Sequence, residues 1–573
     1  MTSVPASLDP SVAAVAPAAR PRIGAEGWIM RGGLALLALY LLLTVILPLY
    51  AMLAKGFENK DGDFIGAANF IRYFADPALS ASLWNSFAVA VISTAITIGL
   101  AFGYAVALSR TWMPAKGFFK AVALVPLLAP SLLPALALIY LFGNQGVIRG
   151  VLLGHSIYGP IGIVIGEVFF AFPHAVLIIM TSLAAADQRL YEAAQSLRAS
   201  RWRIFWTVTL PGCRYGLISA CFVVFTLVFT DFGVPKVIGG SFNVLATDVY
   251  KQVIGQFNFQ MGAVVGLLLL TPAVISFLVD RAVQRRQVAL LSARAVPYEP
   301  KPNPFFDRLS LAFCALVGLF VLGILAVAAF GSLITYWPYD MSLTWRNYDF
   351  NNIDTNGWGA YWNSLKMSFA TAILGTAIVF VGAYLVEKGM GFARGRAFIH
   401  LMCMIPLAVP GVVLGLSYIF FFNSPSNPLN VIYLTLTILV IATITHFYTV
   451  PHLTALTALK ALDAEFESVS ASLKVPFYKT FWRVTVPICL PAILDISVYF
   501  FVNAMTTVSA VVFLYGSSTK LASISILNMD DAGNTAHAAA MGMTIVATSA
   551  GLRLLHALAT RGLNRRTQAW RRR

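Results

Sequence analysis

Long apolar stretches constrain this chain more than any other feature of its sequence. A helix needs roughly 20 apolar residues to cross a bilayer, and stretches of that length recur twelve times along the 573 residues. Hydrophobic residues make up 58% of the chain and charged residues 11%, a balance that no soluble domain of this size requires. We therefore expect an all-α polytopic membrane protein that lies in the lipid bilayer. The predicted spans are 34–54, 84–108, 120–142, 159–184, 212–235, 260–281, 309–335, 364–387, 397–422, 431–456, 488–515 and 537–558.

The basic residues indicate which way the chain crosses the membrane. Twelve spans place both termini on one side, and a cytoplasmic N-terminus leaves nine of the 40 Lys and Arg residues outside. This bias follows the positive-inside rule, so we predict that both termini are cytoplasmic. The flanking residues also account for the net charge of +16 without nucleic acid, which would need a basic face on a soluble domain. The nine outer residues are Lys55, Lys60, Arg72, Arg149, Lys236, Lys251, Arg346, Lys366 and Lys520.

The order of polar and proline residues in the first half returns in the second half. Each matched set is separated by 276 to 280 positions, and the sets keep one order. Each half holds six spans, so both halves have the same orientation, as in a parallel repeat about an axis along the membrane normal. The matched sets are Trp84-Asn85-Ser86 with Trp362-Asn363-Ser364, Pro126 and Pro130 with Pro406 and Pro410, Pro173-His174 with Pro451-His452, Asp187 with Asp463, Leu197 with Leu473, Trp206 with Trp482, and Pro211 with Pro487.

One polar segment occurs in both halves, on the predicted cytoplasmic side between the fourth and fifth spans. The first copy reads "EAAQSLRASRWRIFWTVTLP" from Glu192, and the second reads "ESVSASLKVPFYKTFWRVTVP" from Glu467. Asp187 and Asp463 precede them and can cap a short helix. Leu190, Ala193, Ala194 and Leu197 then form a narrow apolar stripe. A single such helix could rest on the membrane surface, but two copies at matching positions favour docking to a paired partner.

The first copy resembles the EAA motif of permease subunits in bacterial ATP-binding-cassette (ABC) importers, through Glu192, Ala193, Ala194, Leu197, Leu210 and Pro211. In that family the segment is the coupling helix, which sits in a cleft of the ATPase subunit. The second copy is weaker, because Glu467 stands one place early. Both copies replace the motif's glycine, which permits a left-handed turn, with a basic residue that can favour the helix C-terminus. The coupling residues implied by the resemblance are Glu192, Ala193, Ala194, Leu197, Arg198, Glu467, Ser470, Leu473 and Lys474.

The resemblance covers essentially the whole chain and implies two fused permease halves with the type I ABC importer fold in the bacterial inner membrane. The implied organisation is a disordered cytoplasmic tail (1–30), a first permease domain (31–282) with coupling helix 187–211, and a cytoplasmic linker (283–308). A second permease domain (309–560) with coupling helix 463–487 and a basic tail (561–573) follow.

Missing motifs point to the partners. The chain contains no Gly-Lys dipeptide and therefore no P-loop, so we expect no enzymatic activity and two copies of a separate ATPase subunit. The outer loops are too short for a substrate-binding domain, so capture implies a periplasmic binding protein. The five cysteines lack metal-ligand spacing, and we expect no cofactor or metal. The alternative class is an ion-coupled secondary transporter, which normally keeps ionisable residues at mid-membrane.

By the same resemblance, the fifth span of each half lines the substrate pathway. The candidate residues are Thr230, Asp231, Lys236, Thr506, Thr507 and Ser509. Asp231 and Lys236 could instead mark the membrane boundary. Pro126, Pro130, Pro406 and Pro410, in the third span of each half, are expected to be kinks rather than contact sites.

The substrate is the least constrained feature. The stretch "TDFGVPKVIGG" and the fused layout resemble the branch that handles ferric iron, polyamines, thiamine and 2-aminoethylphosphonate. The sequence as a whole looks most like the 2-aminoethylphosphonate permeases, whose zwitterionic substrate would suit Asp231 and Lys236. Ferric iron is the alternative.

Overall fold

The computed structural model describes residues 25–290, 296, 298–389, 392–463 and 465–567. Nine helices in these ranges are long and apolar enough to cross a membrane, and three bent helix pairs raise the number of spans to twelve. This agrees with the predicted all-α polytopic fold. The long helices are α1 (Glu26–Gly56), α3 (Pro77–Arg110), α6 (Pro160–Ala184), α8 (Arg201–Thr230), α11 (Phe259–Leu290), α12 (Pro304–Leu333), α13 (Trp358–Lys388), α19 (Phe477–Thr506) and α21 (Thr535–Thr567).

The bent pairs and short elements complete the chain. The pairs are α4 (Lys116–Leu128) with α5 (Leu132–Phe142), α14 (Ala393–Ala408) with α15 (Gly411–Phe422), and α16 (Leu436–His446) with α17 (Thr449–Lys460). The short helices are α2 (Ala68–Ala75), α7 (Gln188–Ser196), α9 (Gly233–Ile238), α10 (Leu245–Tyr250), α18 (Glu465–Ser472) and α20 (Ala522–Asp531). The strands β1 (Ile334–Tyr336) and β2 (Asp340–Leu343) pair antiparallel in the loop between α12 and α13.

Prolines cause the first two bends, as the sequence predicted. Ala129 precedes Pro130 and Val409 precedes Pro410, and both residues adopt extended backbone angles because a residue before proline is excluded from the helical region. The two pairs therefore bend by 100° and 109°. The predicted spans 120–142 and 397–422 are therefore broken helix pairs, in agreement with the kinks expected at these prolines.

The fifth span of each half ends earlier than predicted. The predictions were 212–235 and 488–515, but α8 ends at Thr230 and α19 ends at Thr506. The next residues, Asp231 and Thr507, are extended with ψ of 138° in both halves. The chain therefore leaves the helix at equivalent points. It continues as the short buried helix α9 in the first half and as buried turns in the second half.

The serine of each Trp-Asn-Ser motif fixes the chain that follows the fifth span of the same half. The Leu245 backbone N–H donates to the Ser86 hydroxyl at 2.8 Å, and the Ala522 N–H donates to the Ser364 hydroxyl at the same distance. Each serine thus accepts from an N–H at the start of α10 or α20, which has no partner within its own helix. The matching positions of the two bonds reproduce the repeat seen in the sequence.

The first helix of each half packs on the other half. Helix α1 contacts α13, α14 and α15, whereas α12 contacts α3, α4 and α5. Close approach depends on small residues, as expected where helices meet within lipid. A Cβ at Gly382 would lie 2.9 Å from Cδ2 of Leu37, and the Tyr40 hydroxyl lies 3.0 Å from the Thr445 hydroxyl. The two halves are therefore intertwined rather than side by side.

An ion pair fastens the loop between α12 and α13 in the second half. Lys520 Nζ lies 2.7 Å from a carboxylate oxygen of Asp354, and both side chains are largely buried. Burial raises the pKa of Asp354, but the hydrogen bonds from Lys520 and Ser525 outweigh it and hold that pKa below its usual value.

The helix ends differ from the predicted domain bounds at three points. Helix α1 begins within the predicted tail 1–30, of which residues 1–24 lie outside the described residues. Helix α11 continues to Leu290 and α12 begins at Pro304, both within the predicted linker 283–308. Helix α21 continues to Thr567, into the predicted basic tail, and 568–573 lie outside the described residues.

We expect Gly166→Ala to destabilise the protein, because a Cβ there would lie 2.6 Å from Cγ1 of the stiff, β-branched Val234. Overpacking of this kind costs about 1–3 kcal/mol. Gly99→Ala is the matched control, since a Cβ there meets no atom within 4 Å. Thermal unfolding in detergent, followed by tryptophan fluorescence, should show a lower midpoint for the first variant only. Equal midpoints for the two variants would contradict this packing.

Candidate functional site

The two predicted coupling segments fold as matching helix–turn–helix units. Helix α7 begins after Asp187, whose carboxylate accepts from the Arg189 N–H at 3.1 Å. Asp463 accepts from the Glu465 N–H at 3.0 Å just before α18. In both units a short helix is followed by a turn and then by the long fifth span, α8 or α19.

The turns are left-handed although the family's glycine is absent. Arg198 has a φ of 54° and Lys474 has a φ of 52°. The Ala199 N–H donates to the Ala194 carbonyl at 3.0 Å, and the Val475 N–H donates to the Ser470 carbonyl at 2.9 Å. Such bonds close a helix whose next residue is left-handed. The backbone thus keeps the geometry for which glycine is best suited, at a cost of roughly 1–2 kcal/mol for each L-residue.

An apolar stripe on each short helix faces away from the protein. Leu190 is 58% exposed and Leu197 is 83% exposed on the first copy, and Leu473 is 70% exposed on the second. Ala193 is also exposed and Ala194 is half-buried. Exposed apolar patches of this kind mark interaction sites, and small side chains beside the leucines permit close approach by a partner.

The predicted glutamates occupy different environments. Glu192 stays on the surface, where one carboxylate oxygen accepts from Gln188 Nε2 at 3.1 Å. Glu467 instead forms an ion pair with Lys388 at 2.9 Å. By the repeat, Glu467 matches Tyr191 rather than Glu192. Its carboxylate therefore fastens α18 to the end of α13, and Ser470 on the same helix contacts the Thr480 hydroxyl.

The first copy is fastened by aromatic rings. The Arg110 guanidinium lies 5.2 Å from the centre of the Tyr191 ring and 4.1 Å from that of Tyr298. Arg110 also donates to the Leu183 carbonyl at 2.7 Å. Because Arg110 matches Lys388 in the repeat, each half uses a cation at the end of its second span to hold its coupling helix, with a different partner.

The linker contacts the first coupling helix, which was not predicted from the sequence. The Gln188 N–H donates to the Val296 carbonyl at 2.9 Å, and Lys301 Nζ donates to the Gln195 side chain at 3.3 Å. The Tyr298 ring packs on Tyr191 with centroids 4.7 Å apart. Linker residues 296 and 298–303 thus lie along α7. No periodic pattern signals this contact, although the prolines and tyrosine of the linker indicate an extended, packed segment.

The predicted pathway residues cluster where the fifth spans end. The Thr230 and Thr506 hydroxyls bond back to their own helices, at 2.8 Å and 3.0 Å. The Asp231 carboxylate accepts from the Val234 N–H at 2.9 Å. The Thr507 carbonyl accepts from the Ser523 hydroxyl at 2.6 Å, and Ser509 packs against Gly411.

Lys236 joins the two halves. Its Nζ lies 2.9 Å from a carboxylate oxygen of Asp531 in the second half and 5.4 Å from the centre of the Tyr250 ring. The cationic charge is therefore compensated within the protein. Asp531 was not predicted from the sequence, because its only signal is the doublet Asp530-Asp531 after an apolar stretch. Within the described residues, no group of three or more His, Cys, Asp or Glu side chains could hold a metal ion.

Comparisons with known proteins agree with this architecture. Residues 95–288 match the family described as "Binding-protein-dependent transport system inner membrane component". The ferric transport system permease protein FbpB of Actinobacillus pleuropneumoniae is 28% identical over 538 residues, which cover 90% of this chain and 76% of that protein. The putative ferric transport system permease protein FbpB 1 of Haemophilus influenzae is 27% identical over 500 residues, which cover 83% of this chain and 76% of that protein. The sulfate transport system permease protein CysW of Synechocystis is 26% identical over 265 residues, or 44% of this chain and 92% of that protein.

The helical architecture and these matches support the class of a multi-pass inner-membrane transport permease. More narrowly, part of the first half matches the inner-membrane component of binding-protein-dependent transport systems, and most of the chain is similar to ferric transport permeases.

We expect Arg198→Gly to stabilise the first coupling unit, because glycine adopts the left-handed turn without the steric cost of a Cβ. The gain should be about 1 kcal/mol. Arg203→Gly is the control, since Arg203 is also exposed but lies inside a helix, where glycine costs about 1 kcal/mol relative to alanine. Hydrogen exchange of α7 amides should slow in the first variant. Faster exchange there would contradict the assigned turn geometry.

Proposed function

We propose that the chain moves ferric iron, delivered by a periplasmic binding protein, across the bacterial inner membrane. ATP hydrolysis is supplied by two ATPase subunits that dock on α7 and α18 from the cytoplasm, the side on which both termini lie. The observation that carries the docking proposal is the pair of outward-facing apolar helices at matching positions, each fixed to its own half.

Ferric iron is preferred to 2-aminoethylphosphonate on two grounds. Two of the relatives described above, which align with most of this chain, are named as ferric permeases, and none of those relatives is named for a phosphonate. The phosphonate hypothesis also relied on Lys236 as a free cation that compensates an anionic group. Because Lys236 is paired with Asp531, its charge is already neutralised in this conformation.

Docking predicts that a charge on the exposed stripe prevents assembly. Leu197→Asp and Leu473→Asp should each weaken ATPase binding at the altered helix at least about tenfold and leave the copy on the other helix bound, since burying an unpaired charge costs several kcal/mol. Leu153→Asp is the control, because Leu153 is 89% exposed and lies outside both coupling units. Unchanged ATPase recovery with both coupling variants would refute docking on these helices.

Uptake by cells tests the substrate. Cells that express the chain with the genes beside it should accumulate radioactive ferric iron, and an ATPase subunit without its P-loop lysine should abolish this uptake. Labelled 2-aminoethylphosphonate, spermidine and thiamine serve as competing substrates. Uptake of one of these in place of iron would overturn the iron assignment. Uptake that survives ATP depletion but stops when ion gradients collapse would indicate a secondary transporter.

A further inference from the structure

A polar pair joins the fifth and sixth spans at matching places in the two halves. In the first half the Ser219 hydroxyl on α8 donates to the Asp280 carboxylate on α11 at 2.5 Å. In the second half His556 Nε2 on α21 lies 3.3 Å from a carboxylate oxygen of Asp495 on α19. Both residues of the second pair stand 276 positions after those of the first, so the two contacts are equivalent in the repeat.

The two pairs differ in their surroundings. Ser219 and Asp280 are both buried, and Gln284 donates a further hydrogen bond to the Asp280 carboxylate at 2.7 Å. The Asp495 side chain is instead 62% exposed. Together with His556 it lines a cavity of about 260 Å³. The polar contact is thus enclosed by protein in the first half and opens into a cavity in the second.

This cavity lies on α19 between α17 and α21, which both pack against that helix. Arg553 on α21 also lines it, at the position that matches Phe277 of the first half. Arg553 and His556 are three residues apart and therefore lie on the same side of α21. None of the ion pairs between described residues uses the Arg553 guanidinium. The second half thus has a cation beside its acid where the first half has an aromatic ring.

The cavity lies near the ends of the spans that lead to the coupling helices. Thr454, which lines the cavity, is six residues before the end of α17 at Lys460, or about 9 Å at 1.5 Å per residue. The chain then enters the second coupling unit. One leaflet changes from hydrocarbon to polar head groups at close to this depth, so the charged lining can meet head groups.

The surface around the cavity is apolar. Exposed side chains on the two bordering helices are Leu554, Leu555 and Leu558 on α21, and Val450 and Leu453 on α17. Such side chains face lipid in a membrane protein, whereas charged residues there are rare and mark functional sites. A ligand that fits both features has a charged group for the cavity and an apolar part for the surrounding surface.

We propose that Asp495, Arg553 and His556 form a binding site for a phospholipid whose head group carries a primary ammonium beside its phosphate. The phosphate accepts from the Arg553 guanidinium, whose planar fork matches such anions. The exposed Asp495 carboxylate accepts from the ammonium, and the acyl chains lie on the leucines of α21. The cavity is smaller than the roughly 300–1,000 Å³ of pockets that enclose drug-sized ligands, which suits a head group whose chains stay outside. The site does not depend on which solute is transported.

Native mass spectrometry of the full chain, titrated with single lipids in detergent, tests the site. Phosphatidylethanolamine is the probe. Phosphatidylcholine has the same phosphate but no N–H donor, and phosphatidylglycerol lacks the ammonium. The wild type should bind the probe about tenfold more tightly than either, since hydrogen bonds to charged groups are the strong ones. Arg553→Gln should weaken binding of the probe about tenfold, Arg553→Lys should retain part of it, and Asp495→Asn should lose the preference over phosphatidylcholine.

Arg214→Gln is the matched control, because Arg214 is an exposed arginine on the fifth span of the first half, outside the cavity. This variant should bind the probe as the wild type does. If Arg553→Gln does not fold, as judged by gel filtration, Arg553→Phe replaces it, since phenylalanine occupies the matching position of the first half. Equal affinity of the wild type and the folded Arg553 variant, or equal affinity of the wild type for all three lipids, would overturn the proposal. Displacement of the probe by an equal concentration of soluble phosphoethanolamine would also overturn it, because the acyl chains would then contribute nothing.

Discussion

The requirement that every backbone polar group be satisfied away from water governs this fold. Lipid offers no hydrogen bonds, so irregular backbone within a membrane protein must be enclosed by other protein segments. The breaks at Pro130 and Pro410 and the ends of α8 and α19 are such irregular points. The exchange of α1 and α12 between the halves supplies the enclosure, because each first helix covers bent helices of the opposite half. Ser86 and Ser364 then satisfy the N–H groups that the irregular segments expose.

Within this framework the two halves have diverged in chemistry while keeping geometry. Arg110 with its two tyrosines and Lys388 with Glu467 perform the same anchoring at matching positions. Ser131 packs on Gly233 in the first half, whereas Gly411 packs on Ser509 in the second. The serine and the glycine have thus exchanged positions between the halves, while the contact between them is kept.

Much of this organisation could be predicted from the sequence, and the limits have physical causes. Apolar run length predicted the spans, and the constant spacing of motifs such as Trp84-Asn85-Ser86 predicted the repeat, because both depend on local composition. The early ends of the fifth spans were not predicted, since apolar residues continue past Thr230 and Thr506 into buried irregular backbone. The left-handed turn at Arg198 could not be predicted, because tertiary packing there overrides residue preference. The Lys236–Asp531 pair joins residues 295 positions apart, and no local pattern reports such a contact.

The central claim is that one chain carries two coupling surfaces and so serves as both permeases of an importer. Native mass spectrometry of the complex, purified from membranes through a tag on this chain, measures this directly. The account predicts one copy of the 573-residue chain with two copies of the ATPase subunit. Disruption of α7 alone or of α18 alone should leave one ATPase copy bound. A complex of two permease chains with two ATPase copies would contradict the account, because each chain would then supply a single coupling surface.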